Sequence, residues 1–196
     1  MSGLGTFVGL GFHHIVNPGA LDHMLFLLAL AAIYRPADWR DALWVVSAFT
    51  VGHSITLALA ATDALVLPTR LIEFLIPLTI VATGLENIAV RERRRAPWNG
   101  RYRAAFAGLF GLVHGAGFAN SLRGLFAGPI AGPLFGFNLG IELGQIVVLG
   151  AAGLGLAGLD RALARRSAAS FRLRVVGVSG AVVLAAAGMA VARRPW

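Results

Sequence analysis

Six long apolar segments, separated by short loops that carry most of the arginines, run from Ala20 to Ala192 and constrain this chain more than any other feature. Their predicted bounds are Ala20–Tyr34, Ala42–Thr62, Thr69–Val90, Ala104–Leu122, Ala131–Leu156 and Val175–Ala192. A helix needs about 20 apolar residues to cross the roughly 30 Å hydrocarbon core, where only helices and closed barrels satisfy their own backbone. Charged residues make up 13% of the 196 positions, against about 25% in soluble domains. That leaves too little polar surface to cover a water-soluble body. The expected fold is all-α: one integral membrane domain over 1–196, a polytopic transmembrane bundle of six long helices. An apolar half-segment, Leu4–Val16, precedes them and is too short to span. It is placed on the outer side as a re-entrant or interfacial piece, with a seventh span as the alternative.

All 17 basic residues are arginine, and the formal net charge is +8. Basic excess in a soluble protein suggests nucleic acid, but here the arginines sit in short loops between apolar segments, so nucleic-acid binding is rejected. They are read instead as topology determinants that touch anionic lipid headgroups. Thirteen lie on one side of the bundle, between the first and second, third and fourth, and fifth and sixth segments. Four lie on the other side: Arg70, Arg123, Arg193 and Arg194. The positive-inside rule then predicts a multi-pass protein of the inner (cytoplasmic) membrane with its C-terminus in the periplasm. The first residues lack a basic region, so no cleavable signal peptide is expected. There is no cysteine, which excludes disulfides and thiolate metal sites.

Nine ionisable residues fall within the apolar segments: His13, His14, Asp22, His23, His53, Glu73, Glu86, His114 and Glu142. An ionisable group at the bilayer centre is costly and marks function or a paired site. Most of these, with Asn138, are expected at one depth, in the outer half, while Glu86 and Asn87 lie near the inner end. Asn138, Glu142 and Gln145 fall at i, i+4 and i+7, one helix face; Thr50, His53 and Ser54 share another. Gly132, Gly136, Gly140 and Gly144, spaced by four, read as a close helix-packing stripe on the opposite side of their helix. The Asn17-Pro18-Gly19 turn breaks an otherwise apolar stretch, with His13 and His14 before it and Asp22 and His23 after it. Broken backbone at membrane depth is tolerated where protein or water satisfies it, and transporters often place ion sites there. These features predict a polar cavity. Its metal ligands are expected to be His14, Asp22, His23, His53, His114 and Glu142. The cavity or relay residues are expected to be His13, Ser54, Glu73, Glu86, Asn87, Asn138 and Gln145. For Glu86, an inner relay and a pairing with Arg91–Arg95 are equal alternatives.

Imidazole and carboxylate without sulfur suit Ni(II), Co(II), Zn(II), Fe(II) or Mn(II). A permease holds such an ion strongly enough to strip water and weakly enough to release it. Two other readings are weighed. One is an intramembrane zinc-dependent hydrolase built on Asp22, His23, His53, Ser54 and His114. The other is a structural scaffold whose polar residues glue helices together. No P-loop is present, so ATP-driven pumping by this chain alone is not expected.

Five ordered blocks, from about Phe12 to Gln145, resemble the HupE/UreJ family of membrane proteins, in particular its second branch. They are HHIVNPGALDHMLFLLAL, FTVGHSITLALA, IEFLIPLTIVATGLENI, FGLVHGAGFA and FNLGIELGQ. The resemblance implies a secondary permease, not an enzyme, that carries nickel or cobalt, with zinc possible from the ligand set. It also implies a supply role for hydrogenase or urease maturation. Carried over, it implies roles for His14, Asp22, His23, His53, Glu73, Glu86, His114 and Glu142. The expected partners are the metal ion as substrate, the lipid bilayer and a second copy of the chain in a homo-oligomer.

Overall fold

The computed structural model describes residues 3–62, 64–65, 67–91, 100–122, 130–164 and 170–196, with the backbone alone at 119–122, 163–164 and 170. Of the arginines used to predict topology, Arg93, Arg94, Arg95, Arg123, Arg165 and Arg166 lie outside the described residues.

Among the described residues every regular element is helical, as the apolar segments predict. The helices are α1 (Leu4–Val16), α2 (Leu21–Ile33), α3 (Trp39–Ala61), α4 (Thr69–Val90), α5 (Tyr102–Leu122), α6 (Ala131–Ala164) and α7 (Ser170–Ala192), with a 3-10 turn, Pro36–Asp38, ahead of α3. Four are long and apolar enough to cross a membrane: α3 with its 3-10 turn, α4, α6 and α7. α5 has 21 residues, about 31 Å of helix at 1.5 Å per residue. α1 and α2 have 13 residues each and meet at 70°. Neither spans alone; together they make one broken span or a re-entrant piece. Large apolar side chains, among them Trp44, Phe135, Leu154, Leu184 and Val191, remain exposed on the outside of the bundle. Lipid is the environment that covers such a surface without cost.

Close backbone contact sets the helix pairs. α3 lies along α5: a methyl group on Gly52 would overlap the Gly108 carbonyl, one on Gly111 the Phe49 carbonyl, and one on Gly115 the His53 carbonyl. The register rises on both helices, so they run parallel. α1 lies along α6 in the same way. Gly11 backs onto Phe137, Gly136 onto Leu4 and Phe7, Gly140 onto Val8, and Gly144 onto Ile15. Three residues of the α6 stripe therefore pack a neighbouring helix, whereas Gly132 meets nothing within 4 Å among the described residues. α4 lies against α7, with Gly84 on Ser179 and Val183. Small residues permit these approaches, and in lipid packing rather than water exclusion holds helices together.

The polar face of α6 turns from the glycine stripe towards α3. There Ser47 donates to Glu142, and Thr50 Oγ1 donates to Gln145 Oε1 at 2.8 Å. At the arginine-rich end, Asn87 is fully buried. It donates to the Ala29 carbonyl at 2.7 Å and to Ser179 Oγ at 3.1 Å, and accepts from Arg103 Nη2 at 2.6 Å. One amide thus ties α2, α5 and α7 to α4. Arg174 similarly clamps Asp160 at 2.7 Å and the carbonyls of Ala32 and Tyr34 at 3.1 Å each. These ties fix the depth of α2 and hence of His23 near its start.

Candidate metal centre

The turn between α1 and α2 builds the first part of the site. A residue before proline is pushed out of the helical region, and Asn17 is extended, with φ −65° and ψ 121°. Its Oδ1 accepts from the Gly19 N–H at 2.9 Å, an Asx turn that reverses nothing but bends the chain. The turn leaves His14 on the last turn of α1 and His23 on the first turn of α2, with ring centroids 4.7 Å apart.

His53 of α3 and His114 of α5 complete the group. Gly115, beside His114, sits on the His53 backbone, so the α3–α5 packing sets where both rings lie. His53 is 6.3 Å from His14 and 6.4 Å from His23, and His114 is 5.4 Å from His23, between ring centroids. One nitrogen from each of His14, His23 and His53 lies within 4.8 Å of the others. Around an ion with bonds of about 2.1 Å, two ligands stand at most about 4.2 Å apart. Closing the three imidazoles on an ion therefore requires movements of about 1 Å or less.

Aromatic side chains wall the group. Phe118 lies 3.9 Å from the His14 ring and stacks on Phe137 at 5.3 Å. Phe49 lies 5.0 Å from His114 and stacks on Phe26 at 4.8 Å. His23, His53 and His114 are buried. His14 Nε2, His23 Nε2, both nitrogens of His53 and His114 Nδ1 are buried without a hydrogen-bond partner. A buried polar atom without a partner costs about 1–3 kcal/mol. None of these five atoms has a protein partner that offsets this cost, and three of the four rings, His14, His23 and His53, each offer a nitrogen to the group described above. Helix-gluing histidines would be bonded to their neighbours. His114 Nε2 alone among the ring nitrogens of His53 and His114 is engaged, with Thr79 Oγ1 at 3.1 Å.

The carboxylates go elsewhere. Asp22 takes Arg193 Nη1 on both oxygens at 3.1 Å, which ties the end of α7 to the start of α2. Glu142 is bonded to Ser47. Glu73 is exposed. Glu86 lies at the opposite end of α4, held by Tyr102 and Arg103 rather than by Arg91. Of the remaining expected cavity residues, His13 is exposed with its ring against Phe12, Ser54 donates to the Thr50 carbonyl at 2.6 Å, and Asn138 keeps a buried Oδ1 without a partner. The structure thus brings four of the expected ligands together, His14, His23, His53 and His114, and sets Asp22 and Glu142 on other partners. Thr79 and the two phenylalanine pairs are site residues that sequence reasoning missed. Thr79 carried a readable signal, since it shares a helix face with Thr83 and Glu86.

No curated protein and no solved structure matches the chain. A family model described as HupE/UreJ protein matches residues 1–193, and the chain belongs to the HupE/UreJ family.

Proposed function

We propose that this chain is a secondary permease for a divalent transition-metal ion, nickel or cobalt first and zinc next, with His14, His23 and His53 as its substrate-binding group and His114 beside them. The observation that carries the reading is the convergence of His14, His23 and His53 from three helices, one ring nitrogen of each within 4.8 Å of the others, in rings that carry buried nitrogens without a hydrogen-bond partner. Membership of a family associated with nickel and cobalt transport supports it.

The chemistry of the group suits cargo better than a resident cofactor. Among the described residues, no carboxylate belongs to the three-imidazole group. A dication held by neutral ligands in a low-dielectric site keeps its charge uncompensated, so binding is moderate and release is feasible. The break between α1 and α2 lets His14 and His23 move relative to each other without unwinding either helix. The excess of arginines on one side of the sequence's apolar segments supports an inner-membrane orientation with the histidine end towards the periplasm and the Glu86 end towards the cytoplasm. A metal delivered this way would serve nickel enzymes such as hydrogenase or urease.

Uptake into proteoliposomes tests the reading. Purified wild-type chain is expected to give saturable uptake of nickel or cobalt, and His23→Ala to abolish it at equal protein incorporation. Wild-type vesicles no more permeable than protein-free ones, for nickel, cobalt and zinc alike, would remove the proposal.

A further inference from the structure

A polar line leaves the histidine group along α4. Thr79, Thr83 and Glu86 stand at i, i+4 and i+7, one helix face. Thr79 Oγ1 meets His114 Nε2 at 3.1 Å, so the line begins at the site itself. Thr83 and Glu86 both line a cavity of about 230 Å³ between α2, α3, α4 and α5, whose wall also includes Phe26, Tyr102, Arg103 and Phe110. A water occupies about 30 Å³ in the liquid, so the space admits several waters or a hydrated ion.

Side-chain contacts bound the cavity at its two ends along α4. Towards the histidines stands Phe26, its ring stacked on Phe49 at 4.8 Å and 6.1 Å from His114. At the far end the Glu86 carboxylate is taken by Tyr102 and Arg103. Arg103 has a second acceptor, Asn87 Oδ1, at 2.6 Å. It therefore keeps a partner if another cation takes Glu86.

We infer that this cavity is the inward half of the conduction path, and that Glu86 is a second binding group for the divalent metal cation, exposed when Arg103 withdraws to Asn87. The inference rests on the permease reading. The ion passes from neutral imidazoles to a carboxylate, which offsets its charge as it leaves the histidines. Phe26 and Phe49 separate the two compartments, and their displacement connects them. A second cavity, beside Tyr34, Trp39, Leu43, Ile146 and Leu154, has Arg35 as its charged lining group and no carboxylate. A guanidinium there repels a metal cation, so the α4 line is favoured.

Because the chain has no cysteine, Thr83→Cys introduces a single thiol into the cavity. In the full-length protein in oriented vesicles, a hydrophilic thiol reagent is expected to label it from the arginine-rich face. Labelling from the histidine face should be at least tenfold slower. Nickel is expected to slow the labelling, and Glu86→Gln in the same background to remove that protection. Leu85→Cys, on the exposed side of α4, should stay unlabelled. If Thr83→Cys fails to fold, Ala82→Cys, which lines the same cavity, takes its place. Absence of labelling, labelling from the histidine face, or labelling that nickel leaves unchanged would each overturn the inference. Nickel binding by the chain with Glu86 and the histidines intact, measured separately, judges the permease reading. A failed cavity therefore remains distinguishable from a failed metal site.

Discussion

Replacing His53 by leucine should move metal affinity and metal-free stability in different directions. The side chain is fully buried, and both of its ring nitrogens lack a partner. Leaving one buried donor or acceptor unsatisfied costs about 1–3 kcal/mol. Leucine removes two such atoms and fills most of the space with apolar surface, at a packing cost usually below about 1.5 kcal/mol for swaps of similar volume. Unfolding of metal-free His53→Leu in detergent, followed by thermal melt, is therefore expected to be unchanged or shifted upward. Metal binding goes the other way. Outer-shell partners of metal ligands are worth about 10–100-fold in affinity, so loss of a direct ligand sets a floor of about 100-fold, or about 2.8 kcal/mol. Nickel titration by calorimetry on the same preparation reads this. A variant that melts lower yet binds nickel like the wild type would show that His53 is a structural residue and that the ligand argument is wrong.

Other expectations follow from the packing. Gly111→Ala drives a methyl group into the Phe49 carbonyl, and overpacking of this kind costs about 1–3 kcal/mol. It should lower the melting temperature and, because α3 and α5 carry His53 and His114, weaken nickel binding as well. Gly132→Ala meets nothing within 4 Å among the described residues and should leave both unchanged, a paired control in the same assay. Asn87→Ala strips partners from the Ala29 carbonyl and Arg103; a loss of about 1–3 kcal/mol in the same thermal melt is expected. Arg193→Gln breaks a partly exposed ion pair with Asp22, worth about 1 kcal/mol or less. A melt shifted far beyond that would mean the α7–α2 tie matters more than its exposure suggests.

The apolar runs made the helical bundle legible, and two elements appear with the predicted bounds: Leu4–Val16 and Thr69–Val90. At the C-terminal end of α6 and the N-terminal end of α7 the bounds differ because hydropathy ends before helix does. α6 continues past Leu156 through Asp160 and Arg161 to Ala164, and α7 starts at Ser170, ahead of Arg172 and Arg174. Charged residues leave the bilayer without leaving the helix. Depth was legible too: His14, His23, His53 and His114 converge because segment polarity placed them at one level. Azimuth was not. Asp22 and Glu142 sit near that level, yet one turns to Arg193 and the other to Ser47. Which neighbour a helix face meets depends on the pairing of α1 with α6 and α3 with α5, and glycine spacing announces close contact without naming the partner. Glu86 shows the same limit. Among the described residues its partners are Arg103 and Tyr102, beyond the Arg91–Arg95 run, of which Arg93, Arg94 and Arg95 fall outside the described residues.

The local environment of a bound ion tests the central claim most directly. X-ray absorption at the nickel edge of the loaded, purified protein is expected to show imidazole nitrogens from three histidines at about 2.1 Å. One of these should be lost in each of His14→Ala, His23→Ala and His53→Ala. A spectrum of oxygen ligands alone, or one that none of the three substitutions changes, would contradict the account.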